Sequence, residues 1–223
     1  MRGNDQVYRL IFLFYEEMPA SSEIEHAISL LPIASNVFFA RLDDHSCQAS
    51  MWTRNPTGRL PTGRLALEYP TDDIPWETCE RLAVQLCAEA HWCLGTSPIP
   101  LALAPGKQFT GTLQLCCFQR AEGLSDEALE HIWFHEHTQI AIATQNTEGY
   151  RQNRVLCSSH DPLDGIVEEV FPLEAANSLT AFFADGHDEE KMMHHIHLLT
   201  QSSERVLDLA QSSVIHLTDK RLR

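Results

Sequence analysis

The chain reads as an α+β protein of two halves with like element order, and three observations carry that reading. Short apolar strands alternate with amphipathic helical stretches. In each half two strands follow one another with no helix between them. Pro105-Gly106 makes a turn near the middle of the 223 residues. Each half, 1–105 and 109–223, therefore reads β-α-β-β-α-β. That order builds a sheet with helices on one face, the ferredoxin-like plan, here in tandem. A sheet with one uncovered apolar face needs a partner. Two such sheets set face to face would enclose a barrel within one chain.

In the first half, Val7 to Tyr15 is aromatic and aliphatic and reads as a strand. Ser21-Ser22 opens a helix to about Leu31, with Ile24, Ala27, Ile28 and Leu31 at helical spacing. Asn36 to Leu42 is a second strand. Asp43 to Gly63 is a loop, and the short echo TGRLPTGRL from Thr57 reads as a surface excursion. Leu65 to Tyr69 is a third strand, Pro75 opens a helix to about His91, and Ile99 to Leu103 is a short fourth strand. In the second half, Phe109 to Phe118 is a strand and Ser125 caps a helix with Asp126 and Glu127 in its first turn. Tyr150 to Cys157 and Ile166 to Phe171 are strands about an Asp161-Pro162 and Asp164-Gly165 turn. Helices at Glu174–Ala184 and Glu189–Leu199 precede a last strand, Val214 to Leu217.

Composition narrows the function. With 16 Lys plus Arg against 31 Asp plus Glu, the formal charge is −15, which argues against nucleic acid and anionic membrane as partners. No apolar run spans a membrane, and Glu16-Glu17 interrupt any signal-peptide pattern, so a soluble cytoplasmic chain is expected. Seven cysteines without a CxxC pair read as reduced, mostly buried small hydrophobes. The second half carries net −10 of the charge and nine of the 12 histidines, so a reactive site is expected there.

Its first helix, LSDEALEHIWFHEHTQIAIA, lines up Leu129, Ile132, Trp133 and Ile140, with His137 at the edge of that stripe. His131 and His135 fall on the opposite side. His137 reads either as a core histidine or as an acid–base group. Glu136 would fall within the apolar face of a regular helix, and a local distortion that carries it to water or an arginine is expected instead. Glu190, His194 and His197 share a helix face, which reads as solvated rather than as a metal site, and no metal is expected. Tyr150, Gln152 and Arg154 share one strand face, and Gln114 belongs to the mixed face of the strand from Phe109, as a cavity lining would.

The second half resembles the EthD family of the dimeric α+β barrel superfamily. The matching residues are Trp133-Phe-His-Glu-His137, Gly149-Tyr150-x-Gln152-Asn153, Asp164-Gly165-Ile166-Val167-Glu168 and Leu207-Asp208, over about half the chain. The first half lacks the Trp-x3-His and looks like a degenerate copy. The resemblance implies a pocket between sheet and helices that takes a small hydrophobic or aromatic compound. It implies dehydratase, cyclase or monooxygenase-type chemistry without a cofactor, in breakdown or tailoring of such compounds. His137, Tyr150 and Glu168 would be catalytic, and Trp133, Gln114, Gln152 and Asp208 would bind substrate. The alternatives are a non-catalytic binding or accessory module of an oxidoreductase system, and a haem protein with a histidine as axial ligand. A homodimer is open beside a monomer that closes its own barrel.

Overall fold

A computed structural model describes residues 7–160, 162–183 and 188–223. Among them eight strands form: β1 (Val7–Phe14), β2 (Asn36–Arg41), β3 (Gly63–Tyr69), β4 (Ala88–Ile99), β5 (Thr112–Phe118), β6 (Gly149–Ser158), β7 (Gly165–Phe171) and β8 (Ser213–Arg221). Helices α1 (Ser21–Ser29) and α2 (Trp76–Gln85) belong to the first half. In the second, α3 (Asp126–Glu130) runs through a π-helical turn (His131–His137) into α4 (Thr138–Thr144), followed later by α5 (Leu179–Phe183) and α6 (Glu189–Glu204).

All strand pairs are antiparallel and close into one barrel, β1-β3-β2-β8-β5-β7-β6-β4. Within it each half keeps the same relative order, β4-β1-β3-β2 and β8-β5-β7-β6. Two seams join the halves. The longer pairs β4 with β6 from His91↔Ser158 to Ile99↔Tyr150, and the shorter pairs β2 with β8 from Phe38↔Arg221 to Arg41↔Thr218. Closure removes the open edges that would invite pairing with other chains.

The period-two alternation of side chains sorts the core into layers. Outward-facing Leu10, Phe12, Leu65, Leu67 and Trp92 meet α1 and α2 through Ile24, Ile28, Cys79 and Leu82. Outward-facing Cys116, Phe118, Tyr150 and Val167 meet Leu129, Trp133, Ala141 and Val206 on the other side. The lumen holds Ile11, Leu13, Leu113, Leu115, Ile166 and Leu217 around a belt of buried charge. In that belt Arg64 reaches Glu168 at 2.7 Å and Asp219 at 3.1 Å, and Arg9 reaches Glu68 at 2.8 Å and Asn153 at 2.9 Å. Arg151 lies 3.6 Å from Glu168 and 3.8 Å from Asp219, with its guanidinium over the Phe38 ring. Three arginines face three carboxylates drawn from both halves. The full compensation of charge is what permits such a group in a dry interior.

Several expected elements shift. The helix after Pro75 ends at Gln85 rather than near His91, because Cys87 takes the left-handed φ of 50° and turns the chain at once into β4. The fourth strand is accordingly Ala88–Ile99, not Ile99 to Leu103. Its Glu89, His91 and Gly95 disguised it: a Cβ at Gly95 would meet Arg9 Nη1 at 2.6 Å, so the belt demands the glycine. The expected Glu174–Ala184 helix divides into a 3-10 turn, Leu173–Ala176, and α5, where Ser178 Oγ accepts from Ala181 N and restarts the helix. Ala184 and Asp161 lie outside the described residues.

The loop from Asp43 to Gly63 holds more structure than its sequence suggests, and the echo from Thr57 is on the surface only in its first copy, since Arg64 and Leu65 of the second are buried in β3. Ser46–Trp52 forms a 3-10 turn, and the Trp52 indole donates to the Ala175 and Ala176 carbonyls while stacking on Phe182. Arg54 then pairs backbone to backbone with Val214. The loop thus straps the first half onto the second. All seven cysteines are free, and Cys47 and Cys87 are exposed rather than buried.

Candidate active site

The helix from Asp126 carries one extra residue in its middle. Thr138 N and Oγ1 both donate to the Trp133 carbonyl, the Oγ1 bond at 2.7 Å, which is the i→i+5 closure of a π turn. The extra residue rotates Glu136 off the Trp133 stripe, and Glu136 meets Arg205 at 2.7 Å and His131 at 3.3 Å near the surface. Beyond the turn the buried stripe passes through His137, Thr138, Ala141 and Thr144 in place of Ile140.

Between this helix, α6 and the outer face of β5, β7 and β8 lies a cavity of about 210 Å³. Trp133, His137, Tyr150, Gln114 and Glu169 line it, with Arg54 from the strap contributing the cation. Trp133 is 1% exposed and meets Phe118 edge to face at 4.8 Å. A Cβ at Gly165 would lie 2.5 Å from both rings, so the Asp-Gly pair serves packing here. Its Asp164 accepts from Arg120 Nε at 2.6 Å and from Arg120 N at 2.8 Å.

His137 Nδ1 pairs with Ser202 Oγ on α6 at 2.9 Å, which fixes the ring and leaves Nε2 for the cavity. Burial pushes its pKa down to about 4, so the imidazole is neutral at pH 7. Glu169 is 5% exposed; Gln114 Nε2 donates to its Oε2 at 3.0 Å, and Oε1 has no protein partner. Burial raises its pKa to about 8, against the smaller opposing effect of the Gln114 bond. Tyr150 is held well above its ordinary value by burial and then by Glu169, against smaller lowering effects of Thr138 and Trp133.

The structure brings four of the seven sequence candidates together at this cavity, His137, Tyr150, Trp133 and Gln114, and sends three elsewhere. Glu168 points into the lumen and completes the charge belt, because neighbours on a strand face opposite ways. Gln152 is consumed as a tie, donating to Thr138 Oγ1 at 2.7 Å and accepting from Thr96 Oγ1 at 3.0 Å. Asp208 shapes the turn before β8, accepting from Ala210 N at 2.9 Å, while its neighbours Leu207 and Leu209 line the cavity. Sequence reasoning missed Glu169. The alternation Val167, Glu169, Phe171 opposite Ile166, Glu168, Val170 was the signal that could have found it. Glu190, His194 and His197 face solvent.

Among the described residues no helix is long and apolar enough to cross a membrane.

No family model matches the chain, and no curated protein matches it. Among solved structures it is similar to an anthrone oxidase-like protein, at 7% identity over 99% of this chain and 94% of the other, with a TM-score of 0.55. A mutant chlorite dismutase from Candidatus Nitrospira defluvii, in complex with cyanide, follows at 10% identity, over 99% and 92% of the two chains, with a TM-score of 0.47. At such identities the likeness is one of fold, an antiparallel barrel flanked by helices whose strands are here all supplied by a single chain.

Proposed function

We propose that the second-half cavity binds a small hydrophobic or aromatic compound and moves protons on it without a cofactor. The carrying observation is that two titratable groups line one small cavity with their pKa values pushed apart, His137 down and Glu169 up. At neutral pH this supplies a neutral base and a protonated acid on the wall of one cavity, the division of labour that acid–base catalysis needs. In the base role His137 Nδ1–H donates to Ser202 and Nε2 carries the lone pair. Trp133, Val167 and Leu199 give the substrate an apolar bed. Elimination or cyclisation of a ring compound fits such a pair.

Assignment to the EthD branch of the fold rests on the motif residues, of which Trp133, His137 and Tyr150 line the cavity. We also read the two halves as copies of one unit, supported by their shared strand order.

The test is binding first and turnover second. One- and two-ring hydrophobes should shift the NMR signals of the Trp133 indole and the His137 ring, and Val214→Trp should abolish those shifts by filling the cavity. With a substrate in hand, His137→Gln and Glu169→Gln should each lower kcat about 10²–10⁴-fold. Binding that survives Val214→Trp would place the site elsewhere. Turnover unchanged in both other variants would leave only a binding module.

A further inference from the structure

A chain of hydrogen bonds crosses three strands and ends at Glu169. His216 on β8 is buried, with Nδ1 3.0 Å from Thr112 Oγ1 and Nε2 3.3 Å from Gln114 Oε1. An amide oxygen only accepts, so Nε2 carries the hydrogen and Nδ1 accepts from the threonine. Gln114 is thereby oriented with its amide nitrogen toward Glu169, and it donates to Oε2. Every donor in the series points at the carboxyl group. Oε2 accepts from that side, and Oε1 is the oxygen left buried and without a protein partner, on a residue that lines the cavity.

We propose that this chain holds the acidic hydrogen of Glu169 on Oε1, and that the cavity therefore selects ligands presenting an acceptor oxygen, such as a ketone carbonyl, to that atom. The proposal rests on the binding reading above and names its substrate class. His216 and Thr112 are then positioning residues, acting through Gln114. The groups that share the cavity with Glu169 are Gln114 and Cys116 from β5, Tyr150 from β6, His137 from the π turn and Arg54 from the strap, with His216 of β8 behind Gln114. The buried histidines are neutral at pH 7, since burial lowers both to about 4. Tyr150 and Cys116 stay protonated, raised by their burial. Arg54 is the charge present, and it is exposed and paired to the Leu209 carbonyl.

Two bicyclic probes of nearly equal size test this: 1-tetralone, which carries a carbonyl, and tetralin, which does not. The wild-type protein at pH 6.5 should bind the ketone roughly tenfold more tightly, the worth of one hydrogen bond to a buried donor. The preference should fade above about pH 8, where Glu169 loses its proton. Glu169→Gln should keep the preference and lose its pH dependence, because an amide oxygen can face Gln114 while the amide nitrogen donates into the cavity. Glu169→Leu should abolish the preference and leave tetralin binding intact. His216→Leu should bring the two probes within about twofold, with Thr112→Val as the milder break should the first variant not fold. Equal binding of both probes by the wild type, or a preference that survives Glu169→Leu, overturns this inference. Failure of both probes to bind overturns the cavity reading beneath it.

Discussion

Across β3, β1 and β4 the row Leu67–Leu10–Trp92 faces the helices of the first half; across β7, β5 and β8 the row at the same strand positions is Glu169–Gln114–His216. The apolar row is sealed, Leu10 and Leu67 fully and Trp92 nearly so, with Tyr8 stacked on Trp92 at 5.4 Å. The polar row keeps a cavity beside it. The helices differ to match. α1 is nine regular residues, whereas its counterpart carries the π turn that aims His137 at the sheet. One strand order thus serves as a buttress in one half and as a vessel in the other. The difference lies in the row of side chains and in the longer helix with its π turn, not in the strand order.

The largest effect is expected where the halves are joined. Arg64→Met leaves Glu168 and Asp219 without their nearest cation and should cost about 3–5 kcal/mol. Denaturant unfolding should remain a single transition in the wild type, because the belt draws on both halves. Two separate transitions would show that the sheets are independent units. Next, Trp92→Ala should cost about 3–5 kcal/mol by opening a void in the buttress, whereas His216→Ala should cost about 1–3 kcal/mol, the loss of buried hydrogen bonds. Thermal melts of the two variants compare the rows directly, and equal losses would erase the contrast.

Smaller again is Thr138→Val. It removes the bonds to the Trp133 carbonyl and from Gln152, and should cost about 1–3 kcal/mol while shifting the Trp133 indole resonance. Stability should also follow pH. His91, His137 and His216 have folded values near 4 against 6.5, so their contribution should climb between about pH 4 and 6.5 and level above it. Glu169 acts with the opposite sign. Its value of about 8 against 4.5 makes the folded state hold a proton that the unfolded chain releases, so its contribution declines across that window. Glu169→Gln should flatten the curve between pH 6.5 and 8.5, measured by denaturation at several pH values.

Legibility followed the range of the interaction. Periodicity exposed β1, α1, β2 and β3, because each buries a face its own residues define. It failed for β4, where Glu89, His91 and the glycine at 95 look unlike a strand until the lumen supplies their partners. The distortion at Glu136 was readable, since a carboxylate in an apolar stripe is a local contradiction. Gln152 looked like a cavity residue, and only Thr96 and Thr138, distant along the chain, reveal it as a tie.

By itself the sequence determined the α+β alternation of strands and helices, the like order of elements along the two halves and the inward turn of His137, all consequences of local pattern. Only the tertiary structure decided which of two adjacent glutamates meets the cavity, since the barrel assigns Glu168 to the lumen and Glu169 to the helices. It also decided that a loop from the first half brings Arg54 to that site. A strand's two faces are equivalent until other strands close around it; the lumen then surrounds Glu168 with arginines that hold its pKa down against its burial, while Glu169, equally buried and without such a cation, is pushed up.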